Sequence, residues 1–592
     1  MTTADVLFQY HQRIGDLQQT LGAIESRQAT TVAVTLFAVL LVAVSGFFAY
    51  WRQSIPVWYP PIAVPPLLVS IRNYGRRRLE VKRLSRLTNL YEKGEERLDG
   101  RWAGLGHEGS EFQPADHPYA ADLNLFGEAS IFERICTART HLGRERLARY
   151  LSEPATKDEA LDRQNSVREL MPQVELREKI ALLGKYDFEE SKWQTFSDWL
   201  AARPLNYPKW LRPTLLVSSI CLLTLSAATV VAPSTIWPIT WRPILALAVL
   251  HGATGAFLFR WVRSTLAAAA PVAGEMSVMR EGLALLASQT FSTPQLRALV
   301  LRSEGAAQVI GELGPWFFIL GERSKDWWCQ LSLWLALGTQ TSLAIDAWRN
   351  QHKVAFLGWL DAWAEFEALN SIACYAYENP EDCWPEVTDG DASFEATALG
   401  HPLLLRSGCV VNDVSFGTVA RFWVISGSNM SGKSTLLRSV GVASVLALAG
   451  APVRATALRM AAMSVHASIS LGDSLQEGKS RFLAEVQRLR DALDSSLAGP
   501  TIFLIDEIFS GTNSRDRQLA ADAVVRTLVA RRAIGAISTH DIALASITEH
   551  GGANVHMASS GKDPLDFDYR LKPGVTPETN AIAIARMAGV PV

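Results

Sequence analysis

The stretch Gly427-Ser-Asn-Met-Ser-Gly-Lys-Ser-Thr435 constrains this chain more than any other. An apolar run, Phe422 to Ile425, precedes it, and a helical-looking segment, Leu436 to Ala449, follows. Strand, glycine-rich loop and helix form the context that a phosphate-binding loop requires. Gly427 and Gly432 let the backbone curl so that successive N–H groups point at phosphate oxygens. The positive end of the following helix adds to that field. Lys433 can then reach the β- and γ-phosphates of a nucleotide, and the Ser434 hydroxyl can ligate Mg²⁺. Gly427, Ser428, Asn429, Met430, Ser431, Gly432, Lys433, Ser434 and Thr435 are therefore the expected nucleotide cradle. An ordinary Gly/Ser loop is the bland alternative, and the partners downstream count against it.

The second half of phosphate chemistry is an acidic residue at the end of a buried strand. Thr501-Ile-Phe-Leu-Ile-Asp506-Glu507 supplies it about seventy residues later. A continuous apolar run reads as a central strand covered on both faces. Asp506 is placed to hold the Mg²⁺ shell, and Glu507 to polarise the attacking water. Ala536-Ile-Ser-Thr-His540 reads as another strand whose last residue faces the γ-phosphate. Gly478-Lys-Ser480-Arg-Phe482 precedes an amphipathic helix, Phe482 to Leu493. Two readings of Ser480 stand: a helix cap, or a ligand to the γ-phosphate bound by a second subunit.

At 592 residues the chain has room for several domains. Its formal charge of −2 argues against a protein that coats nucleic acid unaided. The six cysteines are scattered, with no metal-type pairs, which disfavours a zinc site or a disulfide framework. Eighteen tryptophans are many for a soluble protein, and the order of the chain explains them. Residues 1–29 are polar. Gln28 to Trp51 then carries no charge and is long enough, at about 1.5 Å per residue, to cross the hydrocarbon layer. Ser54 to Ile71 is a second uncharged run, interrupted by five prolines. Arg72, Arg76, Arg77, Arg78, Lys82 and Arg83 follow, against Arg52 alone in the connecting turn, so both ends of this hairpin are expected in the cytoplasm.

A second apolar pair occupies Pro213–Pro233 and about Ile236–Phe259, with Lys209 and Arg212 before it and Arg260 and Arg263 after. Arg242 at a span centre would cost about 2.5–3.5 kcal/mol, so the span is expected to begin beyond it. Four crossings result, in a plasma (inner) membrane, with the nucleotide domain in the cytoplasm. Trp327 to Ile345, interrupted by Gln330 and Gln340, is read as a packed amphipathic helix. The expected division is a polar N-terminal segment at 1–29, a first transmembrane hairpin at 30–71, and a juxtamembrane helix and linker at 72–123. A helical core follows at 124–385, with the second hairpin inserted at 213–260, and a nucleotide domain at 386–592.

Several blocks, in order, resemble the MutS family of ATPases. The loop is similar to that family's GPNMGGKST, with Ser428 in place of proline and Ser431 in place of glycine. Gly472 to Glu485 resembles its signature stretch. Asp506-Glu507 with Gly511-Thr512-Asn513-Ser514 resembles its acidic motif, and Ser538-Thr539-His540 its histidine motif. Upstream, Asn124 to Arg134 and Leu142 to Leu151 resemble the entry to its helical core, and Glu365 to Ala373 the exit. No stretch resembles the mismatch-reading or connector domains, and the apolar pair at 213–260 stands where the core would extend to its DNA clamp. Cys409 lies where family members often stack an aromatic on adenine, and a thiol cannot stack. The choice between adenine and guanine stays open.

The resemblance implies an α plus α/β protein: transmembrane hairpins, a MutS-like helical core and a C-terminal P-loop ATPase domain of the ABC/MutS type. It implies ATP and Mg²⁺, catalytic roles for Glu507, Lys433 and His540, and metal ligation by Ser434 and Asp506. It also implies a homodimer with Ser480 acting in trans. Mismatched-DNA binding is the second reading, disfavoured by the missing grip on DNA. An ABC-type exporter half is the third, opposed by the lack of an LSGGQ-like signature and by so few crossings.

Overall fold

The first hundred residues make two long helices that pair along their length. The computed structural model describes residues 1–52, 56, 59–184, 200–201, 207–208, 210–231, 233–270, 273–322, 332, 334–428, 430–469, 481–510, 512–557 and 567–576. Helix α1, Thr3–Gly46, starts at a capping box in which Thr2 and Asp5 satisfy each other's backbone N–H groups. Helix α2, Tyr59–Leu98, carries Pro65 and Pro66 near its start. Thr35 bonds Ser70, Thr31 bonds Arg77, Gln18 bonds Glu92 and His11 meets Glu95. One number falls as the other rises, so the pair is antiparallel.

The two halves of this hairpin differ in what they face. Near the N-terminus Val6, Tyr10, Ile14 and Leu17 pack against Leu87, Tyr91 and Tyr377. Farther along, Val34, Leu36, Phe37, Leu40 and Trp51 are exposed. The polar first segment and the apolar run after it thus belong to one unbroken helix.

Contacts divide the chain into two units. The first holds Met1–Thr137, Glu145–Leu182 and Ala368–Val592. Its C-terminal part contains a six-stranded sheet in the order β10-β9-β4-β8-β7-β6. The members are β4 (Phe422–Gly427), β6 (Ser464–Ser468), β7 (Thr501–Asp506), β8 (Ile534–Thr539), β9 (Gly552–Met557) and β10 (Lys572–Pro573). All pairings are parallel except β10 on β9. Parallel strands buried on both faces read as unbroken apolar runs, as Thr501–Ile505 does. Alternate residues serve opposite faces. Phe503 and Ile505 join Val525, Leu528 and Ile547 on one side. Leu504 points the other way, to the helix Lys433–Leu448, where a Cβ on Gly441 would lie 3.0 Å from it. A smaller sheet, β1-β5-β2-β3, is made by β1 (Glu386–Thr388), β2 (Phe394–Leu399), β3 (Asn412–Phe416) and β5 (Ala457–Ala461).

The second unit holds Ala138–Arg144 and Leu183–Glu367 and is helical among its described residues. Its helices Leu211–Val231 and Pro233–Phe257 pair through Ser218 with His251 and Thr229 with Thr240, which makes them antiparallel. His251 also bonds the Trp334 carbonyl, and Gln340 donates to Ser219. The segment from Trp334 onward is therefore packed against the pair, and Thr339 to Ile345 are all buried.

Among the described residues two helices are long and apolar enough to cross a membrane, within Thr3–Trp51 and Leu211–Thr229. Ile239–Phe257 and Phe259–Ala269 make a third if a pair bent by 71° is taken as one span. The described part of the proline-rich run at Ser54–Ile71, expected as a crossing, is not among these helices. From Tyr59 onward the run belongs to α2, and residues 53–55 and 57–58 lie outside those described.

Candidate nucleotide site

The loop after β4 turns on two positions that a side chain could not occupy. Gly427 has φ 153°, and a Cβ there would sit 2.4 Å from the Met557 carbonyl oxygen. Gly432 has φ 99° and caps the helix Lys433–Leu448. Between them Met430 adopts φ 69° and is exposed, whereas Ser431 is buried. Asn429 lies outside the described residues.

Lys433 folds back over this loop. Its Nζ donates to the carbonyls of Gly427 at 2.9 Å and Ser428 at 2.7 Å. Burial pushes its ammonium below the ordinary lysine range, while Asp506 and Glu507 pull the other way. The Ser434 hydroxyl donates to one carboxylate oxygen of Asp506, and the Ser538 hydroxyl to the other. Thus the loop, the end of β7 and the end of β8 converge on one point.

Glu507 follows in a left-handed conformation, φ 54°, with its N–H donating to the Ser538 carbonyl at 3.0 Å. Its carboxylate meets the His540 ring at 3.2 Å. The backbone beyond is pinned from two sides. Arg517 donates to the carbonyls of Phe509, Ser510 and Thr512, and the buried Glu485 carboxylate accepts from the Phe509 N–H. The sequence does not single out Arg517, and it marks Glu485 only as the end of the signature stretch. A carboxylate inside an amphipathic helix and an arginine after a turn give no local signal of their partners.

A cavity of about 400 Å³ opens over these groups. Met430 to Leu436, Asp506 and Glu507 line one part, and His401, Cys409, Val410, Asn412 and Tyr569 another. Its size suits a nucleotide. Cys409 is on the wall, and the aromatic ring of Tyr569 lines it too. Asn412 holds that stretch in place, donating to the Tyr569 carbonyl at 3.0 Å and accepting from the Leu571 N–H at 2.7 Å. Ser480 and Gly511 lie outside the described residues.

One carboxylate and one hydroxyl, Asp506 and Ser434, form an all-oxygen pair. No group of three or more His, Cys, Asp or Glu side chains that could hold a metal occurs among the described residues. The pair fits Mg²⁺, which keeps several waters and is bound through one or two carboxylates plus substrate phosphates.

The sequence has known relatives. Residues 423–592 match MutS domain V. Part of the chain is homologous to MutS and MSH6 proteins. It is 32% identical to the DNA mismatch repair protein MSH6 of Arabidopsis thaliana over 265 residues, 41% of this chain and 20% of that one. It is 33% identical to MutS 1 of Halobacterium salinarum over 238 residues, 39% of this chain and 27% of the relative. MutS 2 of the same organism shares 31% identity over 279 residues, 46% and 30% of the two chains. The chain thus matches less than a third of the length of each of these relatives.

Proposed function

We propose that this chain is a membrane-anchored, MutS-like ATPase that works as a homodimer and hydrolyses ATP with Mg²⁺. The observation that carries the reading is the convergence of Lys433, Ser434, Asp506 and Glu507 on one nucleotide-sized cavity. Lys433 would exchange its two loop carbonyls for phosphate oxygens. Ser434 and Asp506 would hold Mg²⁺, which neutralises phosphate charge when bound. Glu507, fixed by the Ser538 carbonyl and the pinned loop, would orient and polarise the attacking water, with His540 beside it. Such chemistry is mostly positioning and charge neutralisation. Ser480 of the partner subunit would complete each site, an isologous arrangement natural to a two-fold dimer.

The membrane part of the reading is supported by the apolar helices within Thr3–Trp51 and Leu211–Thr229. Within the first unit the N-terminal hairpin is tied to Glu378. Arg97 grips Glu378 through two bonds, 2.8 and 2.6 Å, and Tyr10 reaches the same carboxylate. Motion at the nucleotide site would thereby reach the membrane, with the helical core as lever.

Mismatched-DNA repair is the second reading, favoured by the names of the relatives. ATPase assays on the detergent-purified protein, alone, with homoduplex and with mismatched DNA, separate the two. Mg²⁺-dependent hydrolysis indifferent to mismatches supports the first; stimulation by mismatched DNA supports the second.

A further inference from the structure

We propose that the open end of the second apolar helical pair is a docking collar for the headgroups of anionic phospholipids. This deepens, and rests on, the membrane reading above. Because the helices Leu211–Val231 and Pro233–Phe257 are antiparallel, the start of the first lies at the same end as the finish of the second. The sequence from Tyr207 to Gly274 contains no Asp or Glu, and Arg212, Arg260 and Arg263 gather at this end. At Leu258 the chain bends by 71° into the short helix Phe259–Ala269. Thr265, Leu266, Ala268 and Ala269 of that helix are buried, while Arg260 and Arg263 are exposed. Neither guanidinium meets a carboxylate among the described residues.

Aromatic residues adjoin these cations along the chain. Phe257 is 89% and Phe259 57% exposed. Tyr207 lies 6.3 Å from Trp261, centroid to centroid, and the Arg212 guanidinium sits 5.2 Å over Trp316. Trp210, two residues before Arg212, is exposed as well. Rings of this kind settle at the boundary between hydrocarbon and water. A helix that turns aside there, with phenylalanines and arginines on its free face, suits the interfacial plane. The planar guanidinium fork matches a phosphate diester. The exposed apolar faces of the two adjoining helices, with Val217, Ile220, Leu245 and Val249 free, make lipid, not nucleic acid, the source of that phosphate.

The test uses full-length protein in neutral detergent, titrated with phosphatidylglycerol or phosphatidylcholine and read by native mass spectrometry. Wild type should prefer phosphatidylglycerol, and glycerol phosphate should not compete. At about a factor of five per surface cation, R260Q/R263Q should bind it roughly thirty-fold more weakly. R260K/R263K keeps the charge without the fork and should lose less than R260Q/R263Q, which separates lost charge from misfolding. Equal binding of both lipids by wild type, or no loss in R260Q/R263Q, overturns the collar while leaving the membrane reading intact. Failure to enter bilayers of either composition overturns both.

Discussion

Replacing Glu507 by glutamine isolates one step of the proposed chemistry. The side chain keeps its length, and an amide oxygen still accepts from His540, the neighbour now at 3.2 Å. The φ 54° backbone and the N–H to the Ser538 carbonyl do not depend on the side chain. Lys433, Ser434 and Asp506 are untouched, so ATP affinity should change by no more than about threefold. What disappears is the group proposed to polarise water. General-base contributions run to about 10²–10⁴ in rate, equivalent to about 3–5 kcal/mol of barrier. The assay is single-turnover hydrolysis beside equilibrium binding of a fluorescent ATP analogue. A rate within tenfold of wild type would refute the role. So would a tenfold loss of affinity, which would make Glu507 a binding residue instead.

Other predictions follow from packing and burial. Gly535 lies in the central strand β8 with φ 159°, and a Cβ there would fall 1.9 Å from the Phe503 carbonyl oxygen. Gly535→Ala should therefore cost more than about 3 kcal/mol, visible as a lowered urea midpoint; an unchanged midpoint contradicts the packing described. Arg97→Leu leaves the Glu378 carboxylate, 3% exposed, without its cation. It should cost about 3–5 kcal/mol, and an Arg97→Leu/Glu378→Leu pair should recover much of it; no recovery would mean the loss is not one of charge. Burial holds His401 and His466 down to about 4, so both stay neutral in the folded chain at pH 5, whereas the unfolded chain takes up protons from about 6.5 downward. Stability is thus complete above pH 6.5 and falls as the pH drops toward 4, by about 3 kcal/mol for each histidine. Hydrogen-exchange protection of β6 should drop over that window, and a flat profile would contradict this.

The nucleotide domain was legible because its residues are local and ordered. Phe422–Ile425, the glycine loop and the Asp506-Glu507 end of an apolar run each announce themselves within ten residues. The structure extends that first strand to Gly427 and starts the helix at Lys433. Other site residues were not legible because their signal is non-local. Arg517 and Glu485 act on a loop through backbone atoms, and Tyr569 reaches the cavity from a stretch more than a hundred residues after Gly432. Among the apolar segments, composition alone could not distinguish a polar leader followed by a span from one unbroken helix. The contacts of Val6, Tyr10 and Ile14 with Leu87 and Tyr91 draw that distinction.

The account stands on a nucleotide-driven engine held in a bilayer. The most direct measurement is the ATPase rate of the full-length protein in lipid nanodiscs, with and without mismatched duplex DNA. The account predicts stable incorporation, Mg²⁺-dependent hydrolysis that E507Q abolishes, and a rate unaltered by the DNA. Protein that stays soluble without lipid or detergent and hydrolyses ATP faster on mismatched duplex would contradict it.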